Sequence, residues 1–155
     1  MKIYVCRKRE FMFQVILPVL VAIGGGISCI VGAYLYPEHL ILALLISTIC
    51  LYTIYNTFLT GSYPDKIIIA DDHISFSSMG KVQRYKYCDI RYFKVRESRY
   101  SLAMFVRINK PLLNKGRFWI HANSFQDGDA LYKSIVELEF KIHPKSLKSI
   151  AYHQI

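Results

Sequence analysis

The rhythm of apolar and polar positions changes twice along the 155 residues of this chain. The first long segment shows no alternation at all. "FMFQVILPVLVAIGGGISCIVGAYLY", Phe11 to Tyr36, and "LILALLISTICLYTIYNTFL", Leu40 to Leu59, contain no Asp, Glu, Lys, Arg or His. A bilayer core takes roughly 20 apolar helical residues, and each run is long enough. A signal peptide has one apolar stretch of about 7–15 residues before its cleavage site, whereas here a second span follows at once. A two-helix transmembrane hairpin is therefore expected over 11–60, behind an N-terminal segment 1–10.

After a short linker, Gly61–Pro64, the period becomes two, the mark of half-buried strands. "DKIIIA" reads as a strand, "DDH" as a turn and "HISFSS" as a second strand with Ile74 and Phe76 on one face. "MGK" is another turn. "KVQRYKY" and "RYFKVRE" follow as strands separated near Asp89, and "SLAMFVRIN" turns Leu102, Met104, Val106 and Ile108 inward. "KPLLNKG" reads as a loop and "GRFWIHA" as the last strand, with Phe118 and Ile120 toward the core. The period then becomes helical. Leu131, Ile135, Leu138 and Ile142 form one stripe, Asp127 suits the N-cap, and Pro144 bars continuation. The expected fold is a membrane α-hairpin plus an α+β domain over 65–155, a small antiparallel β-barrel or sheet with one C-terminal helix.

Charge separates along the same boundaries. Up to Glu10 four basic residues face one acid, between Phe11 and Thr60 the only formal charge is Glu38, and from Gly61 sixteen Lys and Arg face nine Asp and Glu. Positive residues flank the hairpin on the side of both its ends, and the turn "PEH" has none, which predicts cytoplasmic termini. Cys6, Cys29, Cys50 and Cys88 form no CxxC or secreted-type framework, as suits reduced thiols. Gly24, Ser28 and Gly32 recur at spacings of four, a stripe that lets membrane helices approach closely, within the hairpin or between protomers of a homo-oligomer. Pro18 is expected to distort the first helix. No Asp, Glu, Lys, Arg or His lies inside either span, which argues against ion-coupled transport.

The order of strands closed by "GRFWIHANSFQDGDALYKSIVELEFKIHP" resembles the bacterial pleckstrin-homology-like domains that follow membrane hairpins, over roughly Tyr63 to His143. The architecture is also similar to the minimal two-helix membrane effectors of cyclic-oligonucleotide antiviral signalling, of the CRISPR type III and CBASS kinds. That resemblance implies the bacterial inner membrane, a nucleotide ligand on the soluble part, and a bilayer compromised by the membrane part.

The single tryptophan poses a question that this reading addresses. With the inward faces set aside, the last three strands leave Tyr92, Lys94 and Arg96, then Ala103, Phe105 and Arg107, then Arg117, Trp119 and His121 on the other face. Arg84 and Lys86 extend the set if Tyr85 and Tyr87 point inward. Guanidinium groups hold phosphates bidentately, and aromatic rings stack on bases. Apart from Tyr92 and Ala103, these residues are the candidate ligand-binding set, for a nucleotide above all. An anionic lipid headgroup, a protein partner, or a Trp119 covered by a loop or a second protomer are the alternatives. Neither GxSxG, HExxH nor a phosphate-cradling glycine loop is present. "DDH" reads as a turn rather than a metal cluster, "DGD" as a helix start, and His143 as a helix C-terminal residue favoured by the dipole. A non-enzymatic protein without metal or cofactor is expected.

Overall fold

The computed structural model describes residues 1–58, 60–98, 101–112 and 115–144. Leu59 of the expected second span, Leu113 and Asn114 of the expected loop, and the last residues of the expected domain, 145–155, lie outside them.

The chain begins with a strand that the sequence does not announce. β1 (Lys2–Val5) pairs antiparallel with β2 (Lys66–Ile69), Val5 opposite Lys66. The hairpin is thus a long insertion between two neighbouring strands of one sheet, and both its helices leave from that sheet. The first, α1, is one continuous helix, Lys8–Leu35, whose second turn, Met12–Ile16, is π-helical. Pro18 explains the widened turn: it has no N–H to donate, and its ring crowds the carbonyl one turn back. A 3-10 turn at Pro37–His39 leads into α2 (Leu40–Phe58). Both helices are long and apolar enough to cross a membrane. Leu20, Val21, Ile30, Ile41, Ile49 and Leu51 are all more than half exposed, apolar surface that suits lipid better than water.

Inside the hairpin the close approach is made by Gly25 and Gly26. A Cβ on Gly26 would stand 3.6 Å from that of Cys50, whereas a Cβ on Gly24 or Gly32 would meet nothing within 4 Å. The nearest approach of α1 to α2 at a glycine is thus at Gly25 and Gly26, next to the stripe Gly24, Ser28 and Gly32. The hydroxyl of Ser28 donates to the Gly24 carbonyl at 2.9 Å and that of Thr53 to Ile49, also at 2.9 Å, so these polar groups are satisfied within their own helices.

Two antiparallel sheets follow. β1 and β2 continue into β3 (His73–Ser78) and β4 (Lys81–Lys86), in the order β1-β2-β3-β4. The two-residue turn between β3 and β4 has positive φ at Met79 (48°) and Gly80 (83°), the twist a tight hairpin demands. The second sheet has the order β5-β6-β7, from β5 (Phe93–Glu97), β6 (Ala103–Leu112) and β7 (Lys115–His121). The expected loop "KPLLNKG" is in part an extension of β6 and β7, with Leu112 opposite Lys115.

The inner faces meet at Phe76 and Phe118, whose rings stack 4.0 Å apart. Ile67, Ile74, Met104, Val106, Ile108 and Ile120 surround them, and α3 (Gly128–Ile142) adds Leu131, Ile135 and Leu138. The two sheets do not close into a barrel. The linker occupies the seam: the Trp119 N–H donates to the Ser62 carbonyl at 2.8 Å, and the Ser78 hydroxyl to that of Tyr63 at 2.7 Å. At the opposite edge α3 covers β5. Glu139 Oε1 accepts from the Val95 N–H (2.9 Å) and His143 Nε2 from the Phe93 N–H (3.1 Å). His143, the C-terminal residue of α3 that the sequence suggests, thus also serves the edge strand as an acceptor. Each edge of the second sheet thus meets a cover, the linker at Trp119 and the helix at Phe93 and Val95.

Candidate functional site at the root of the hairpin

Register places the outward side chains of β5–β7 in rows. Arg96, Phe105 and Trp119 are cross-strand partners, and Lys94, Arg107 and Arg117 form the adjacent row. On β6 and β7 a ring and a cation thus alternate and align across the pair, and β5 adds a cation to each row. Phe105 and Trp119 lie with centroids 4.3 Å apart and planes tilted by 32°. The Arg107 guanidinium sits 4.9 Å from the Phe105 centroid, within cation–π range. Trp119 is 45% exposed while its neighbour Phe118 is fully buried.

Most of these residues form the floor of a groove of about 480 Å³ whose far wall is the second helix of the hairpin: Tyr52 and Asn56 of α2 line it together with Arg96, Phe105, Arg107, Arg117 and Trp119. On its other side Trp119 borders a smaller cleft with Phe11, Gln14 and Val15 of α1, His121 and the linker residues Tyr63 and Pro64. The tryptophan therefore stands between the roots of the two helices. Its position on the outer face puts a large flat ring where the soluble sheet meets the hairpin. Ser124 adds a direct tie, its hydroxyl donating to Gln14 Oε1 at 2.7 Å.

The groove is electrostatically open. Arg107 and Arg117 are only half-exposed, the Nε–H of each is buried without a hydrogen-bond partner, and neither makes an ion pair among the described residues. A half-buried guanidinium lacking a counter-charge is a costly arrangement that an incoming anion relieves. Glu97, at the end of β5, is the acid in the lining, and the Tyr132 hydroxyl donates to it. Loss of hydration lowers the pKa of His121, so the imidazole beside Trp119 resists protonation. Burial, reinforced by Asp65 and Glu10, pushes the Cys6 thiol up to about 11 and leaves it protonated and inert.

The structure gathers Lys94, Arg96, Phe105, Arg107, Arg117, Trp119 and His121 on one face, and it separates Arg84 and Lys86 from them. Tyr85 points inward, edge-on to Phe76 and Phe118, which turns Arg84 and Lys86 to the outward face of the other sheet. Those two residues leave the candidate set. The groove gains Tyr52 and Asn56, which no local pattern assigns to a β-sheet site; the hint was a polar Asn56 near the basic end of an apolar helix. The "DDH" segment is a turn, with His73 Nδ1 and Asp72 Oδ1 2.6 Å apart and the Tyr87 N–H bonded to the Asp72 carbonyl. No family model, curated protein or solved structure matches the chain.

Proposed function

We propose that this protein is a membrane-anchored sensor whose basic face binds a phosphate-bearing ligand with flat bases, a cyclic oligonucleotide second messenger, and relays its occupancy to the hairpin. The observation that carries this reading is the pair Arg107 and Arg117, adjacent in register, with buried unpartnered Nε–H groups in a groove walled by α2. Two guanidiniums offer a bidentate phosphate clamp, and the exposed indole offers a base the stacking face that a lipid headgroup does not need. The ligand touches helix and sheet at once, so binding changes their relation. The insertion of the hairpin between β1 and β2 leaves no free linker to absorb that change. Both termini sit in the cytoplasm of a bacterial inner membrane, and the soluble part is a pleckstrin-homology-like relative with an opened barrel. Protomers associate through the Gly24, Ser28 and Gly32 side, and the response disrupts the bilayer in antiviral defence. The activity is binding, without catalysis.

A second reading has an observation of its own. Tyr52 and Trp119 are amphipathic rings at the helix root, the kind that sits at a membrane interface, and cations there attract anionic lipid. The protein is then a scaffold that docks an anionic headgroup or a protein partner. Because β1 belongs to the sheet, a fragment starting at Gly61 lacks a strand, and the test uses the full chain in nanodiscs. Labelled cyclic oligoadenylates of several ring sizes are titrated against discs of zwitterionic lipid, then of phosphatidylglycerol. Saturable binding in zwitterionic discs, abolished by Arg107→Glu, supports the sensor. Absence of binding to every ring, with Arg107→Glu weakening attachment to anionic vesicles, replaces it with the lipid scaffold.

A further inference from the structure

A second cationic hollow opens on the same sheet face, further from the hairpin. It is a shallow basin of about 900 Å³ lined by Asp89, Arg91, Tyr92, Arg107, Asn109 and Lys110. Arg107 lines both this basin and the groove beside α2, so the two are continuous. Three cations stand in the lining against the single carboxylate of Asp89.

The basin rests on a rigid corner. Asn109 takes up positive φ (54°), which asparagine tolerates better than most residues. Its side-chain oxygen accepts from the N–H groups of Arg91 (2.8 Å) and Tyr92 (3.2 Å), and its amide donates to the Asp89 carbonyl at 3.0 Å. The Asn109 N–H itself bonds to the Tyr92 carbonyl at 2.6 Å. One side chain thus fixes the backbone that presents Arg91 and Tyr92, although nothing in the core requires those residues. Tyr92 is 42% exposed, and among the described residues no hydrogen bond or ring contact of its side chain accounts for its place on the surface. Along β6 the face now runs Phe105–Trp119, then Arg107–Arg117, then Tyr92, then Arg91 and Lys110: ring, cation, ring, cation.

We propose that the basin is a second phosphate-and-base subsite and that the ligand is a single-stranded oligonucleotide segment laid along β6, its consecutive bases splayed onto two separate platforms. This rests on the nucleotide reading above and deepens it. Phe105 and Asn109 are four residues apart on β6, about 13 Å at ~3.3 Å per residue. Stacked bases rise only ~3.4 Å, so one base on Trp119 and the next on Tyr92 cannot stack on each other. Unstacked bases held on aromatic side chains are how single strands are read. The phosphate between them crosses the Arg107–Arg117 row, and the next falls to Arg91 and Lys110. A mononucleotide fills one platform only.

The full-length protein in zwitterionic nanodiscs is titrated with AMP and with linear pApA and pApApA. Wild type binds the oligomers more tightly than AMP. Tyr92→Ala weakens oligomer binding by roughly five- to 150-fold, the equivalent of ~1–3 kcal/mol of stacking, and leaves AMP binding unchanged. Arg91→Gln together with Lys110→Gln flattens the dependence of log K on log salt for the oligomers by about 0.7 for each phosphate no longer neutralised. Trp119→Ala weakens AMP and oligomers alike. If the oligomers bind and respond to Trp119→Ala but not to Tyr92→Ala or the double glutamine variant, the second subsite is refuted and the sensor reading survives. If wild type binds none of the three probes or any cyclic oligoadenylate, both fall together. Circular dichroism melts of each variant verify that the fold persists, and Asn109 is left untouched.

Discussion

The two sheets turn outward faces of the same charge sign and different make-up. That of β1–β4 carries Lys66, Arg84 and Lys86 among exposed Ile3, Val5 and Val82. That of β5–β7 carries Lys94, Arg96, Arg107 and Arg117 in register with Phe105 and Trp119, under a wall supplied by α2. On the first face the cations extend into solvent. On the second, two of them are half-buried with unpartnered Nε–H groups, and a flat ring lies beside them. Positive charge alone therefore does not distinguish a recognition surface here; partial desolvation and aromatic register do. Charge in full solvent is screened within about 10 Å at ordinary salt, whereas a half-buried guanidinium retains its pull.

The largest expected effect tests whether both faces belong to one folded unit. Phe118 joins the sheets through its stack on Phe76 and has no exposed surface. Phe118→Ala should cost about 3–5 kcal/mol in a denaturant titration of the detergent-solubilised chain. A loss below about 1 kcal/mol would mean that the sheets are stable separately, and the comparison would then concern two modules.

Next comes the contrast itself. Arg107→Gln should weaken ligand binding by about 2–5 kcal/mol, the usual range for truncating a desolvated charge pair. Arg84→Gln, on the other sheet, should change it by less than ~0.5 kcal/mol. Equal effects of the two substitutions would reduce the groove to a share of net charge.

Much of this face was legible in the sequence because it depends on local alternation. Met104, Val106 and Ile108 are buried and Phe105 and Arg107 face away from them, as a period of two dictates. The helical stripe Leu131, Ile135 and Leu138 reads equally well. What the pattern does not contain is pairing across distance. "KIYV" is too short to stand out, and its partner lies beyond the whole hairpin, so β1 becomes visible only when Tyr4 is seen against Ile67. Tyr85 does point inward and Arg84 and Lys86 outward, so it is not the phase of β4 but its membership of the other sheet, again a pairing across distance, that separates those two cations from the site. Gly61–Pro64 reads as a spacer by composition, yet Gly61, Ser62 and Pro64 are buried in the seam between sheets. The basin residues Arg91 and Lys110 come together through one asparagine at positive φ, which no hydrophobic pattern encodes.

A smaller effect sharpens the account of the sheet that bears the site. Glu139, buried on α3, accepts from the Val95 N–H at the edge of β5. Glu139→Ala leaves that donor unsatisfied and should cost about 1–3 kcal/mol of stability, while amide exchange at Val95 accelerates more than at central Val106. Equal acceleration at both would show that the helix stabilises the sheet by packing alone and not by covering its edge.

The smallest effect separates the faces by pH. Loss of hydration lowers the pKa of His121, next to Trp119 on the candidate face, below its ordinary 6.5. At the rim of the other sheet, the His73 hydrogen bond lowers that of Asp72 below its ordinary 3.8. In both cases the unfolded chain binds more protons than the folded one within the window, so stability rises with pH there. The His121 contribution is complete above about pH 6.5 and fades as pH falls through the lowered folded value. The Asp72 contribution is complete above about pH 3.8 and fades only in stronger acid. Between pH 7 and 5, therefore, His121 supplies a slope that Asp72 does not, and His121→Asn should reduce it while Asp72→Asn leaves it unchanged. Melting temperatures of the two variants across that range decide the matter, and a slope unchanged by His121→Asn would place the desolvated group elsewhere than beside the tryptophan.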